Sequence, residues 1–471
     1  ISASYSYRGW FTLNGNARVD GSNRFGDQTN SRFLPIWSAS ANWNLGEINW
    51  LREREWIDFV TLKTSYGYQG NMLNDQSPVM IIKKKPTNAY FDELETTLER
   101  NANPNLKWEK TSSYNLGLDF SLFQRKLMVE ASYYFKHTKD AFMTKKIASM
   151  NGINGNSYVV NRGDVDNSGY SLALTVSPVN TRDVRWTLST SFSRTINKVK
   201  SKPDSEVYSL EDFLNGNAIV KDQAVGTFYS YKFIGLSPVD GGPLFDDYED
   251  RHLELDGLNK YDTYTRVLEA SGRRDPYMSG GLTTSVRYKN WRLNGSFSYS
   301  LGGKIRLFGI YGEATNNTMK VNNIDPTMNM SRDFLDRWRF PGDEKNTTIP
   351  AIITLGGNEE AYRRYGTHWS SSSRTNTQLI AYDYWNMYDY SNHRVVSSNY
   401  LKCQNISLTY QFDENLIKKA GMSRLELTLS GGNLFTVCSK KLKGQTPTQS
   451  GFADIQLSDR PTYSIGLNVS F

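Results

Sequence analysis

The sequence contains no long hydrophobic run. No stretch approaches the ~18 consecutive apolar residues that a transmembrane helix requires, and the mean hydropathy is −0.58. This lack excludes a helical membrane protein, although a soluble multidomain enzyme could be equally polar. The length of 471 residues suits either two or three soluble domains or one large barrel.

Cysteine and histidine are scarce, which removes most catalytic and metal-binding patterns. Cys403 and Cys438 fit no CxxC spacing, so they are either two free thiols or one disulfide between neighbouring strands. No histidine falls in an HExxH or similar spacing, and neither a GxSxG elbow nor a P-loop occurs. Ser370 lies near His368, but nothing indicates the third group that a nucleophilic site needs. We therefore expect no enzyme and no cofactor; the four histidines are His137, His252, His368 and His393.

The sequence also lacks a block of charge of one sign. The net charge is +7 with acids and bases interspersed, which argues against a nucleic-acid partner. Residues 240–257 are acid-rich, and carboxylates are the hard oxygen donors that calcium prefers. Their spacing does not match the D-x-[DN]-x-[DN]-G loop, so a solvated acidic loop and a calcium site both stay open. The acids are Asp240, Asp246, Asp247, Glu249, Asp250, Glu254 and Asp256.

Tyrosine and alternating patterns are abundant. There are 29 Tyr residues, and "NPNLKWEKTSSYNLGLDFSLFQRKLMVEASYYFKHTKDAF" (103–142) alternates apolar and polar residues twice around Gln124-Arg125-Lys126. Each half predicts a strand of about ten residues or more, whereas soluble strands usually have about five or six. A strand that crosses a bilayer needs about 9–11 residues, and aromatic girdles mark both its ends.

Twelve such segments and a stub at 1–7 predict an all-β, transmembrane antiparallel β-barrel. One face of each strand is apolar, and the other suits a wet lumen. The segments are 10–21, 33–45, 58–70, 111–123, 126–142, 168–178, 184–198, 278–288, 291–302, 399–412, 424–436 and 460–471.

Short and long connections take turns along the chain. Transmembrane barrels have short periplasmic turns and long extracellular loops, so we expect the C-terminus on the periplasmic side. Residues 46–57 predict a short amphipathic helix in one of the short turns. The long connections are 22–32, 71–110, 143–167, 199–277, 303–398 and 437–459.

Two loops, 199–277 and 303–398, are too long for plain connectors. The second holds a cluster of aromatic residues, which are typical of recognition sites because rings combine contact area with a polar group. Either they contact a substrate or a covering protein, or they pack the loop against itself. The cluster is Trp338, Tyr362, Tyr365, Trp369, Tyr382, Tyr384, Trp385, Tyr388 and Tyr390.

Eight stretches together resemble the C-terminal part of the SusC/RagA family, the TonB-dependent outer-membrane transporters of Bacteroidetes. They occur in family order and span the whole chain. They read "ARVDGSNRFG" (17–26), "LKTSYGYQGN" (62–71), "NPNLKWEKTSSYNLGLDF" (103–120), "YYFKHTKD" (133–140), "NSGYSLALT" (167–175), "SNYLKCQNISLTY" (398–410), "LSGGNLFT" (429–436) and "RPTYSIGLNVSF" (460–471).

The resemblance implies a barrel of 22 strands around a plug domain, of which residues 1–471 would be about the last 12 strands plus a stub. The plug and the TonB box would lie upstream of residue 1, and Phe471 resembles the terminal signal for barrel assembly. Members pair with a SusD-like lipoprotein lid, often as a dimer of transporter–lid pairs. They import oligosaccharides or oligopeptides with energy from TonB, surrounded by outer-membrane lipid.

Two other functions stay open from the sequence. A passive porin would lack the plug and the lid, and a surface adhesin would bind ligands through its loops without transport. The sequence does not distinguish glycan from peptide cargo.

Overall fold

The computed structural model describes most of the chain. It covers residues 1–22, 33–73, 79–87, 90–100, 102–103, 105–146, 157–203, 207–246, 248–310, 331–353, 356–366, 384–448 and 459–471.

Strands dominate these residues, as the alternating sequence predicts. In chain order they are β1 (Ser2–Tyr7), β2 (Phe11–Gly21), β3 (Phe33–Asn44), β4 (Ile57–Asn71), β5 (Ile81–Lys84), β6 (Thr96–Arg100), β7 (Glu109–Leu122), β8 (Leu127–Lys146), β9 (Ser157–Asn180), β10 (Val184–Val199), β11 (Thr227–Ser230), β12 (Phe233–Leu236), β13 (Pro243–Phe245), β14 (Glu269–Arg273), β15 (Met278–Tyr288), β16 (Trp291–Leu301), β17 (Lys304–Arg306), β18 (Val395–Ser397), β19 (Tyr400–Gln411), β20 (Arg424–Gly432), β21 (Thr436–Cys438) and β22 (Thr462–Ser470).

One large antiparallel sheet contains the stub and all twelve predicted long strands. Its order is β1-β2-β3-β4-β7-β8-β9-β10-β15-β16-β19-β20-β22, with β21 paired to β19. Neighbours in the sheet are therefore neighbours in the chain, apart from the short strands inserted between them. This meander is the topology of an up-and-down barrel wall, which confirms the predicted fold class.

The predicted loop at 143–167 is wrong in its extent. β8 and β9 continue pairing there, from Ala141 opposite Gly163 to Lys146 opposite Ser157, beyond a bulge at Thr138 and Ala141. The extension carries no alternating apolar face, so the pattern that revealed the other strands is absent.

Side-chain alternation gives the sheet two chemically different faces. On β7 and β8 the rings and aliphatic chains of Tyr114, Leu116, Leu118 and Tyr133 are each more than a third exposed. Such exposure of large apolar groups on one continuous face is what lipid contact requires. Aromatic pairs lie at the short-turn ends, for example Trp291 on Tyr410, whose ring centroids are 4.7 Å apart.

Helices are short and lie in the connections. They are α1 (Asn49–Arg52), α2 (Leu210–Leu214), α3 (Lys260–Val267), α4 (Glu359–Gly366), α5 (Tyr384–Asp389) and α6 (Glu414–Ile417). The helix predicted at 46–57 corresponds to α1 and the 3₁₀ turn before it. Within the described ranges, no helix has both the length and the apolarity to span a membrane.

The apolar face leads to a first prediction. Leu116 lies midway along β7, opposite Thr64 on β4 and Tyr133 on β8. Leu116→Arg places a charge on the lipid-facing side of the sheet, below the first aromatic row, and we expect a loss of about 1–3 kcal/mol in the free energy of unfolding. Urea unfolding of the barrel in lipid vesicles measures this loss. Leu116→Met keeps the apolar surface and should unfold like the wild type; equal midpoints for the arginine variant would contradict a lipid-facing Leu116.

Candidate functional site

The described parts of the long segments 199–277 and 303–398 fold together into one body, which we call the loop assembly. Their main chains hydrogen-bond directly: Tyr231 N donates to Tyr390 O at 3.2 Å, and Ala351 N donates to Gly241 O at 2.9 Å. A shared hydrophobic core joins the two segments, with Phe213, Leu214 and Leu255 from one side. The other side supplies mainly the rings of 334–390. Because the two segments share one hydrophobic core, they form a single ordered surface at the ends of the strands, and they are not independent loops.

The structure places five of the nine predicted aromatic site residues inside this core. Trp338, Tyr365, Tyr384, Trp385 and Tyr388 are all buried, with Tyr388 fully so. Tyr362 and Tyr390 are partly buried and pack against the core. Trp369 and Tyr382 lie outside the described residues. The burial gives five rings a packing role, which was the second interpretation from the sequence; contact with substrate or lid stays a prediction for the partly exposed rings.

A buried arginine joins the two segments of the loop assembly. Arg306 is 1% exposed. Its guanidinium donates to the carbonyl oxygens of Leu214, Tyr229 and Ser391 at 3.0 Å each, and to Ser230 Oγ at 2.9 Å. Burial lowers the pKa of the Arg306 guanidinium to about 9, which leaves it protonated at neutral pH. One side chain thus satisfies acceptors from three separate stretches of chain.

A glycine pair lets two buried rings touch the main chain. Gly241 has φ +69°, and a Cβ there would lie 2.3 Å from the Trp338 ring; a Cβ on Gly242 would lie 2.0 Å from the Tyr365 ring. Tyr365 also donates its hydroxyl to Asp240 Oδ1 at 2.8 Å. Burial, with the nearby Asp240 carboxylate, raises the pKa of Tyr365 to about 12.

The described part of a third long segment, 437–459, attaches to the assembly through ion pairs and through hydrogen bonds of the Gln445 side chain. Asp333 accepts from Lys443 Nζ at 2.6 Å and from Arg394 at 3.3 Å. Gln445 accepts from the Phe308 amide and donates to the Arg306 carbonyl, both at 3.0 Å. These contacts hold one rim of the assembly onto the strands β19 to β22.

The acid-rich stretch 240–257 contains several carboxylates that are paired with basic groups. Asp246 accepts from Lys232 at 2.8 Å and pairs with Arg251, and these bonds lower the pKa of the Asp246 carboxyl. Glu254 pairs with Arg266 at 3.3 Å. Asp247 lies outside the described residues, and among those described no group of three or more His, Cys, Asp and Glu could hold a metal. A calcium site there stays a prediction that these observations do not test.

The polar face of the sheet lines an open cavity of about 700 Å³. Small residues dominate its wall, and Lys63 forms an ion pair there with Asp119, near Glu130. A wide, polar wall with few large side chains leaves room for a large solute or a second domain. Its inward residues include Gly117, Ser132, Ser171, Ala173, Ser191, Ser193, Ser279, Gly281 and Ser298.

The two cysteines are free thiols. Cys403 is buried on β19, whereas Cys438 is exposed on β21 opposite Tyr400, three positions from Cys403. The interpretation as unbonded thiols is therefore confirmed.

His393 predicts a pH dependence of the loop assembly. Burial, with Arg394, Lys441 and Lys443 nearby, lowers the pKa of His393, whose Nε2 lies 2.8 Å from Thr348 Oγ1. The folded assembly thus holds the neutral ring, while the unfolded chain takes up a proton near pH ~6.5. The contribution of His393 to the stability of the loop assembly is complete above that pH, and we expect this contribution to be lost as the pH falls below it.

Hydrogen exchange of the main chain around Thr348, compared at about pH 7.5 and about pH 5.5, measures this dependence. His393→Gln keeps a polar partner for Thr348 without a titrating ring, so its protection should change less between the two conditions. An equal drop in both proteins would assign the effect to other groups.

Arg306 and Asp333 join separate segments of the loop assembly, but the sequence analysis did not identify them. Arg306 lies between the buried Ile305 and Leu307, and a charged residue inside an apolar run is a signal of a buried polar junction. Asp333 shows no comparable signal, because its partners lie 61 and 110 positions away.

Comparisons with known proteins agree with this geometry. Residues 1–267 match the family described as TonB dependent receptor-like, beta-barrel. The chain is 25% identical to the TonB-dependent receptor SusC of Bacteroides thetaiotaomicron over 99% of its length and 43% of that protein. It is 24% identical to TonB-dependent receptor P3 of Formosa agariphila, over 92% of this chain and 40% of that protein.

A solved structure of the RagAB peptide transporter superposes with a TM-score of 0.74 at 20% identity, over 100% of this chain and 47% of that chain. The chain thus spans less than half the length of the relatives it matches. It belongs to the TonB-dependent receptor-like β-barrel family, as a SusC/RagA-like member.

Proposed function

We propose that this chain is the receiving part of an importer that moves oligosaccharides or oligopeptides across the outer membrane. Membership of the family puts the strands in that membrane. The single observation that carries the proposal is the loop assembly. Three long segments contact one another at one end of the strands, next to an inner wall that is wide and polar. A plain pore does not require such a body, whereas capture of a large solute does.

The long segments face the cell exterior in this proposal, and the C-terminus faces the periplasm. Substrate is held between the loop assembly and a SusD-like lipoprotein. TonB then supplies the energy that moves a plug domain and opens a path along the inner wall. The relatives are more than twice as long as this chain, which leaves room for such a plug. One of the similar solved structures is that of the RagAB peptide importer, which favours peptides as the first cargo to test.

Partly exposed rings are the candidate contacts for cargo or lid. Tyr362 and Tyr390 lie at the edge of the core, and Trp369 and Tyr382 are further candidates from the sequence. Rings of this kind bind sugars by stacking and peptides by apolar contact and hydrogen bonding. Phe471, at the end of β22, is proposed as the signal for barrel assembly, and pairs of transporter and lid are proposed to dimerise.

Uptake by intact cells tests the proposal. Cells that carry the complete transporter receive fluorescent oligopeptides or oligosaccharides, and uptake is compared with a strain that lacks TonB. We expect TonB-dependent accumulation of one of the two classes, and a SusD-like lipoprotein in gently extracted complexes. Uptake that persists without TonB would instead show a passive porin, and surface binding without accumulation would show an adhesin.

A further inference from the structure

The outward face of β7 to β10 carries a group of basic residues just beyond the aromatic rings. The register places His137 opposite both Ser112 and Asp166, and Lys198 opposite Asp166, so these side chains form one row across four strands. One step further, Lys110 lies opposite Lys139, and Lys200 follows β10. We call Lys110, Lys139, Lys198 and Lys200 the lysine surface.

The side on which these residues lie follows from alternation. Lys198 has the same parity on β10 as Ile196, which is 41% exposed, and the opposite parity to Ser193 in the cavity wall. Lys110 has the same parity on β7 as Tyr114, and Thr111 bonds Thr138 on the other face at 2.8 Å. The lysine surface therefore continues the lipid-facing side of the sheet rather than the lumen.

The rings next to the lysine surface are typical of a membrane interface. Tyr114 and Phe135 form the row below it, and Tyr133 and Tyr170 form the next. Arg194 lies in that second row, 5.9 Å from the centre of the Tyr170 ring and 5.8 Å from that of Tyr277. Aromatic rings with cations directly beyond them mark the level at which lipid headgroups begin.

The cations of this surface are only partly neutralised by the protein. Asp166 contacts His137 at 2.6 Å and forms an ion pair with Lys200 at 3.4 Å. Asp222 forms an ion pair with Lys198 at 2.9 Å. Asp164 adds a third carboxylate to this region. Lys110 and Lys139 face each other across the strands and have no ion pair within the described residues, an arrangement that destabilises a sheet unless an external anion offsets the repulsion.

The positive charge is concentrated in one sector of the wall. At the corresponding ends of β2, β3, β4, β16 and β19, outward positions are uncharged: Val19, Phe33, Tyr68, Leu301 and Leu401. A generally solvated rim would distribute its charges more evenly. A local set of lysines above an apolar belt suits phosphate groups that are themselves anchored in the lipid.

We infer that the lysine surface binds the phosphorylated headgroup of a glycolipid in the outer leaflet, which fixes the rim of the barrel beneath the loop assembly. The inference rests on the orientation proposed above but not on the cargo or on TonB. It adds a lipid site on the outside of the barrel, remote from the inner wall.

The test compares lipid binding by the complete transporter and two variants with equal charge changes. K110Q/K139Q/K198Q/K200Q removes the lysine surface, and K83Q/K84Q/K418Q/K419Q removes four exposed lysines elsewhere. Each protein, in phosphatidylcholine nanodiscs, is titrated with lipid A and with lipid A stripped of its phosphates. Because the first variant removes four cations beside the phosphate groups, we expect at least a roughly tenfold loss of lipid A affinity in that variant only.

Three outcomes would overturn the inference. The first is equal lipid A affinity in both variants, and the second is equal binding of the stripped lipid by the wild type. The third is complete release of lipid A by inorganic phosphate, which would identify a site for the free ion. Replacement of the four lysines by arginine should restore binding, which excludes a folding defect as the cause. Import through TonB is measured separately, so that failure of the lipid site leaves the proposed function unaffected.

Discussion

Replacing Arg306 by methionine is expected to loosen the loop assembly while leaving the strands of the barrel wall intact. The variant removes four hydrogen bonds at once and leaves the carbonyl oxygens of Leu214, Tyr229 and Ser391 without their donor. A buried acceptor without a partner costs about 1–3 kcal/mol, and the relief of a buried charge offsets only part of this. We expect a loss of about 3 kcal/mol or more in the stability of the assembly.

Hydrogen exchange resolved by mass spectrometry separates the two regions. Faster exchange is expected at Thr227–Ser230 and around Ser391, whereas β7 to β10 should keep their protection. Arg306→Lys retains the charge but supplies a compact ammonium in place of the planar fork, so it should restore protection only in part.

Arg363→Met is the matched control. Arg363 is largely exposed, and it pairs with Glu359 within α4 at 2.7 Å. Exposed pairs of this kind contribute at most about 1 kcal/mol, so exchange should hardly change. Equal effects of the two methionine variants would show that Arg306 has no special role in joining the segments.

The sequence predicts the barrel wall closely because each transmembrane strand has one face in lipid and the other in water, so its apolar and polar residues alternate. β15 and β16 have almost the predicted bounds, since an apolar face of period two ends at the tight turn Lys289-Asn290. The continuation of β8 and β9 was missed for the same reason. A part of a strand that extends beyond the lipid needs no apolar face. The extension of β9 therefore carries charged residues such as Arg162 and Asp164 and shows no apolar–polar alternation.

The candidate site is less predictable, because burial in the loop assembly depends on partners far along the chain. Tyr365 packs against Gly242, more than a hundred residues earlier, and its hydroxyl is satisfied by Asp240. Nothing near Tyr365 in the sequence distinguishes it from Tyr362, which lies at the edge of the core. An aromatic cluster therefore indicates an ordered loop, but the division between packing and recognition is set by tertiary contacts.

Adding one methyl group at Gly242 should be among the most damaging single changes outside the barrel wall. The new Cβ would lie 2.0 Å from the Tyr365 ring. That ring is held by the bond to Asp240 and by the edge of Tyr384, whose centroid is 5.6 Å away. Overpacking of this kind typically costs about 1–3 kcal/mol, and any loss of the Tyr365–Asp240 bond adds to the cost.

We therefore expect Gly242→Ala to lower the stability of the loop assembly by about 2–4 kcal/mol. Exchange of the amides of Ser237 and Gly241, which close this turn, reports the change. Gly356→Ala is the control, because nothing lies within 4 Å of a Cβ there. Removal of the ring gives the decisive comparison: in a Tyr365→Ala background the added methyl group of Gly242→Ala no longer meets the ring that is its nearest neighbour, so its further cost should be much smaller. A cost that is equal in both backgrounds would mean that strain in the main chain, rather than contact with Tyr365, requires glycine at this position.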